Sequence, residues 1–202
     1  MKPKTILWDV DGVLADFIYG FTSTAGKLSD PPFAAWGTKV HESGDFGKII
    51  PDNELQQRAW YELTHTNHWW SRLPTLLSTQ EQMEFHKFTK DMSYRSVFCT
   101  ARPDSTPEIQ FQTQLFLENL GVYMPNVVVS KRKGDVARAI EADYAIDDKP
   151  ENCACIHWIS DVKPTKSYIL DYPLINRQKI LPPKVRRVSS ITEFIDDIRN
   201  GR

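Results

Sequence analysis

Two carboxylates two residues apart, Asp9 and Asp11, follow a short apolar run and precede Gly12 in the segment DVDGVLAD. A carboxylate at the tip of a buried strand can attack an electrophile. A second one across a tight turn can give and take the protons such a reaction needs. Asp-x-Asp is common in surface turns, but the apolar residues 5–10 (TILWDV) before it and Gly-Val-Leu after it make this occurrence specific. A second acidic pair, Asp147 and Asp148, closes the apolar run in YAIDDKP. Adjacent carboxylates at a strand end are costly without a cation, and they suit magnesium, a hard ion held by few carboxylates and several waters. In VFCTARP a strand ends in Thr100, Ala101 and Arg102, where a hydroxyl, loop amides and a cation can cradle phosphate oxygens. The cluster SKRKGD brings Lys131 and Lys133 to the start of a helical pattern. Taken singly, the last three are ordinary turns and solvated charge runs; their common position behind strand ends makes them a set.

The elements that must position them are short and alternate. Residues 5–10, 95–100, 126–130, 144–147 and 167–170 read as strands. Helical patterns fall at 107–120, 133–142 and 190–199, the last with a Ser190 to Glu193 capping box. Alternation of this kind predicts an α/β fold, a Rossmann-like parallel sheet with helices on both faces, whose chemistry gathers at the carboxyl ends of the strands. Residues 17–94 break the rhythm: no strand is evident, helices are predicted at 54–65 and 79–90, and four of the six tryptophans (Trp36, Trp60, Trp69, Trp70) lie there. The expected division is therefore a core of 1–16 and 95–202 with a small helical cap, 17–94, inserted after the first strand.

Composition narrows the function classes. The chain has 202 residues, 41% hydrophobic and 25% charged, with 25 basic and 26 acidic side chains, so overall charge argues against a nucleic-acid or membrane-surface partner. Three cysteines without a CxxC pair fit reduced thiols in a cytoplasmic protein rather than a disulfide framework or a zinc site. The apolar run before Asp9 is too short for a signal peptide, and no later stretch has membrane-spanning length. The five histidines show no metal-ligand spacing, and Asp16 reads as a capping or solvated side chain.

The four segments, in this order, resemble the motifs of the haloacid dehalogenase superfamily of aspartate-dependent phosphatases. That resemblance implies Asp9 as nucleophile, Asp11 as general acid and base, Thr100 on the phosphate with Ala101 and Arg102 beside it, and Lys133 or Lys131 as the cation of the third motif. It implies a magnesium ion held by Asp9, Asp147, Asp148 and the backbone carbonyl of Asp11. Within the superfamily, DVDGVLADF, Trp69-Trp70-x-x-Leu73-Pro74 and ADYAIDDKPEN are similar to the 5′(3′)-deoxyribonucleotidases. Phe17 then falls where the cap meets a base pocket, and Trp69 or Trp70 is placed to stack on a nucleobase. Two positions depart from the pattern. Ala137 stands where the family often has its third-motif lysine, which leaves Lys133, preferred, and Lys131. Ala101 replaces a serine of the second motif and is followed by Arg102.

The expected function is a magnesium-dependent phosphatase of nucleoside monophosphates, with deoxyribonucleotides favoured and a homodimer compatible. Three alternatives stay open: a phosphatase for another small ester, one for 3′-phosphorylated nucleic-acid ends served by the basic segment 177–187, and a binding protein on the same fold with no chemistry.

Overall fold

The computed structural model describes residues 2–30, 32, 50, 52–103, 105–106, 108–158, 164–171, 176 and 180–201. The short apolar runs become strands β1 (Lys4–Asp9), β2 (Tyr94–Thr100), β3 (Asn126–Val129), β4 (Tyr144–Asp147) and β5 (Lys166–Leu170), joined by β6 (Arg186–Val188). They form one sheet in the order β3-β2-β1-β4-β5-β6, every pair parallel. The chain builds outward from β1 to β3, then crosses back to add β4 to β6 on the other side. Strand order therefore reverses between β1 and β4, the place where open α/β sheets bind ligands. Register pairs Trp8 with Ile146 and Asp9 with Cys99, which sets Asp9 level with the end of β4 and one step short of Thr100.

The helices among the described residues are α1 (Phe17–Leu28), α2 (Asn53–His65), α3 (Thr79–Lys90), α4 (Ile109–Asn119), α5 (Lys133–Ala139), α6 (Pro150–Trp158) and α7 (Ile191–Arg199), with a single 3-10 turn at Trp70–Arg72. Alternation along the strands sends side chains to both faces. Trp8 on one face meets Phe85 and Phe88 of α3 and Phe194 of α7 edge-on, with ring centroids 5.2, 5.8 and 5.1 Å away. Leu7, Val97, Cys99 and Ala145 on the other face pack with Ala137 of α5 and Ile156 of α6. The result is the expected α/β architecture with both faces covered.

Helix α3 falls within the expected cap segment, 17–94. Residues 79–90 form the predicted helix, opened by a Ser78–Glu81 capping box, but it lies on the sheet and against α7. The crowding of tryptophans upstream does not extend to it; its own buried residues are Phe85 and Phe88, which cover Trp8. What stands apart from the sheet helices is α1, packed on α2 and capped by Asp16, which accepts from the Tyr19 amide at 3.0 Å. The 3-10 turn packs on α4. Trp36 lies outside the described residues.

Truncating Phe85 to Ala is expected to lower stability by about 3–5 kcal/mol, the usual cost of an aromatic lost from a core. Urea unfolding measures it; a loss below about 1 kcal/mol would place α3 away from the sheet.

Candidate active site

The loop after β1 is tight and buried. The Leu14 and Ala15 amides both donate to the Val10 carbonyl, at 2.9 and 2.8 Å, and the Gly12 amide donates to the Ala15 carbonyl at 2.9 Å. Gly12 has φ +86°, and a Cβ there would stand 2.4 Å from Asp148 Oδ2. Glycine is needed on both counts: for the left-handed backbone and for the close approach of this loop to the end of β4.

Around it the two acidic motifs converge. Asp9, Asp147 and Asp148 are all buried, and each offers a carboxylate oxygen within 4.8 Å of the others. Lys133, the first residue of α5 and also buried, places Nζ 2.6 Å from Asp9 Oδ2 and 2.6 Å from Asp147 Oδ2. Asp147 further accepts from Asn152 Nδ2 at 3.0 and 3.1 Å and from the Lys149 amide at 2.9 Å. Asp9 Oδ1 accepts from the Val10 amide at 2.7 Å. Asp148 Oδ1 is buried with no hydrogen-bond partner among the described residues.

The electrostatics follow from burial. Desolvation, then repulsion from Asp147, holds the Asp9 carboxyl well above the ordinary range, with Lys133 opposing. Desolvation and the neighbouring Asp147 push Asp148 up from 3.8 to about 7. Burial acts to discharge Lys133, but attraction to Asp9 and Asp147 outweighs it and raises its pKa. One ammonium thus bridges two of the three buried carboxylates.

Asp11 has different company. Thr100 Oγ1 donates to its Oδ2 at 2.8 Å, while Arg102 donates Nε to Oδ2 at 3.0 Å and Nη2 to Oδ1 at 2.8 Å. Arg102, expected on the phosphate, is buried and holds Asp11. Ala101 is exposed on the wall of a cavity of ≈470 Å³ that opens above Asp9 and Asp11. Lys133 forms part of its floor, and Lys131, exposed, stands at its side with Lys149. Phe17 and Trp70 line it, stacked at 5.5 Å with planes 3° apart.

Trp69 does not line this cavity. Its indole N–H donates to Thr24 Oγ1 of α1 at 3.0 Å, which ties the 3-10 turn to the helix. Trp60 and Asn152 also line the cavity, neither of them among the residues expected there. Trp60 lies beside the apolar stripe Leu55, Ala59 and Leu63 of α2 and meets Phe17 at 5.8 Å. Asn152, in the DDKPEN segment, had its signal in the sequence, three residues behind the acidic pair's lysine. In the basic segment 177–187, Arg186 pairs with Asp197 and Arg187 with Asp171, while Arg177 and Lys179 lie outside the described residues.

No family model matches the chain, and no curated protein matches its sequence. Solved structures do match. A haloacid dehalogenase-like hydrolase from Burkholderia xenovorans aligns with TM-score 0.61 at 12% identity, over 99% of this chain and 98% of that one. The chain has the haloacid dehalogenase-like fold. A superfamily hydrolase of subfamily IA from Geobacter sulfurreducens gives TM-score 0.58 at 14% identity over 96% of each chain. The D,D-heptose 1,7-bisphosphate phosphatase of B. bronchiseptica, solved with magnesium and phosphate, gives 0.52 at 12% identity over 98% of this chain and 99% of that one. In this haloacid dehalogenase-like fold no helix among the described residues is long and apolar enough to cross a membrane. Cys99, Cys153 and Cys155 are free thiols.

The donor set fits a hard divalent cation on three observations: clustered carboxylate oxygens, an unpartnered Asp148 oxygen, and a glycine that leaves room beside it. Because Asp148 titrates near 7 when folded and near 3.8 otherwise, folding without a cation takes up a proton between those values. Its contribution to stability falls as pH rises through that window. A cation competes with that proton and binds the ionised form. Magnesium is therefore expected to raise Tm by several degrees at about pH 8 and by almost nothing at about pH 5. Equal shifts at both pH values in thermal unfolding would contradict the assignment.

Proposed function

We propose that this protein is a magnesium-dependent phosphatase that hydrolyses nucleoside monophosphates, deoxyribonucleotides among them, through an aspartyl phosphate on Asp9. The observation that carries the reading is the placement of Asp9 at the floor of a cavity, held by Lys133 and flanked by two further buried carboxylates. The haloacid dehalogenase-like fold supports hydrolysis, since its neighbours are named hydrolases and phosphatases. The nucleotide reading rests on the sequence resemblance and on the aromatic wall of Phe17, Trp60 and Trp70 above the charged floor. The expected compartment is the cytoplasm.

The chain's own groups supply the steps. Lys133 fixes the Asp9 carboxylate through Oδ2 and keeps a positive charge beside the phosphate it attacks. An Asp9 oxygen forms a bond to phosphorus as the ester P–O bond breaks in line with it. Asp11 gives a proton to the departing sugar oxygen, then takes one from the water that attacks phosphorus and frees Asp9. Asn152 and the Lys149 amide hold Asp147 in place. Magnesium, held by Asp9, Asp147 and Asp148, would neutralise the repulsion between carboxylate and phosphate.

Phosphate release is to be measured across 5′ and 3′ ribo- and deoxyribonucleoside monophosphates, sugar phosphates and a 3′-phosphorylated oligonucleotide, with and without magnesium. Selective turnover of the mononucleotides is expected, with none in Asp9→Asn and a loss of about 10²–10⁴-fold in Asp11→Asn. Turnover of the other esters instead would retain the chemistry and overturn the substrate. Silence on every ester would make this a binding protein.

A further inference from the structure

Arg102 is expected beside the phosphate, yet its side chain is held by other groups of this chain. Its side chain has no exposed surface, whereas the Asp11 side chain keeps 21%. A buried guanidinium requires an anion and filled donors. Nε and Nη2 are spent on the two oxygens of Asp11, and Nη1 donates to Thr113 Oγ1 of α4 at 2.9 Å. The guanidinium carbon lies over the Trp70 ring, 4.9 Å from its centroid, and 5.9 Å from that of Phe116 of α4. Thr100 adds the remaining bond to Asp11, and its own hydroxyl accepts from the Arg102 amide at 3.3 Å.

A fork with this many fixed partners cannot swing to a phosphate without leaving Asp11 and Thr113 behind. Its forked, in-plane donors instead fix both the rotamer and the tilt of the carboxylate they grip, which a lysine cannot do. We propose that Arg102 is a positioning residue for Asp11, setting the acid–base carboxylate for proton transfer to the leaving oxygen and tying its place to Trp70 on the cavity wall. The proposal rests on the phosphatase reading above. In the step concerned, the Asp9 oxygen bonds to phosphorus, the ester P–O bond breaks, and the proton of the Asp11 carboxyl passes to the departing oxygen.

Leaving groups separate this role from phosphate binding. Nitrophenolate departs without a proton, while the alkoxide of a nucleotide needs one. The parameter kcat/KM covers the steps through ester cleavage, so it isolates the first half-reaction. In Arg102→Gln, kcat/KM for a deoxyribonucleoside monophosphate is expected to fall about a hundredfold and that for nitrophenyl phosphate at least tenfold less. Thr113→Val removes the rear anchor of the fork without touching Asp11 and keeps the question open to test if Arg102→Gln fails to fold; the same bias is expected at smaller size. Equal losses on both esters, which phosphate binding or a merely structural role would give, overturn the proposal. Unchanged ratios in both variants do the same. Wild-type turnover abolished by Asp9→Asn upholds the phosphatase reading whichever way the ratio falls; a wild type silent on both esters overturns both readings.

Discussion

The ammonium of Lys133 is the interaction on which the rest of the site depends. Parallel strands ending side by side deliver Asp9 and Asp147 to the same spot, and the residue after Asp147 is a third acid. Water cannot screen them, because all three are buried. Lys133 reaches both Asp9 and Asp147 from the first position of α5. A cation is poorly placed at a helix N-terminus, where the macrodipole favours negative charge. Its two short ion pairs must outweigh that cost together with the desolvation of a long side chain, and the upward pKa shift says that they do. The balance is still short by charge. One ammonium and three carboxylates leave Asp148 with an unpartnered oxygen, and a divalent cation held there would close the deficit.

The same constraint explains what could be read from sequence. Strands β1, β2, β4 and β5 are mostly buried and, like β3, appear as short apolar runs, so their ends, and hence Asp9, Thr100 and Asp147, were legible. Strand β6 has three residues, two of them arginines, and only Val188 is buried, so it leaves no such run. Helix α1 carries two glycines and the run Thr22-Ser23-Thr24, poor helix formers that hold their shape through the Asp16 cap and packing on α2. Helix α6 begins at Pro150, a start signal absorbed into the acidic motif before it. Side-chain direction was the harder part. Trp69 and Trp70 are adjacent, yet one turns to Thr24 and the other to the cavity, and nothing in a dipeptide decides which.

In the proposed mechanism one loop gives two like groups, Asp9 and Asp11, different work. They are two residues apart and chemically identical. Asp9 faces acids and a lysine inside the sheet end; Asp11 faces a hydroxyl and an arginine at the edge of the cavity. A nucleophile gains from a neighbour that fixes it and offsets nearby negative charge. An acid–base group must keep access to solvent and to the leaving atom, and its 21% side-chain exposure supplies that. Environment separates the two roles, and Gly12, directly after Asp11, lets the loop approach Asp148 closely.

Arg102 then joins the chemistry to the wall. Its partners come from three parts of the chain: Asp11 from the loop after β1, Thr113 and Phe116 from α4, and Trp70 from the 3-10 turn. The Trp70 amide is itself held by Gln112 of α4 at 3.1 Å, and its ring stacks on Phe17 at the start of α1. A contiguous path of packed and hydrogen-bonded groups therefore runs from the aromatic surface to the proton-transfer carboxylate without passing through the acidic cluster. Displacement of Trp70 by a poorly fitting group would be felt first at the arginine fork and through it at Asp11, while Asp9, clamped by Lys133 and the Val10 amide, stays in place. In the proposed mechanism, attack and proton transfer would thus rest on separate groups, Asp9 on Lys133 and Asp11 on Arg102, with the second tied to Trp70 on the cavity wall.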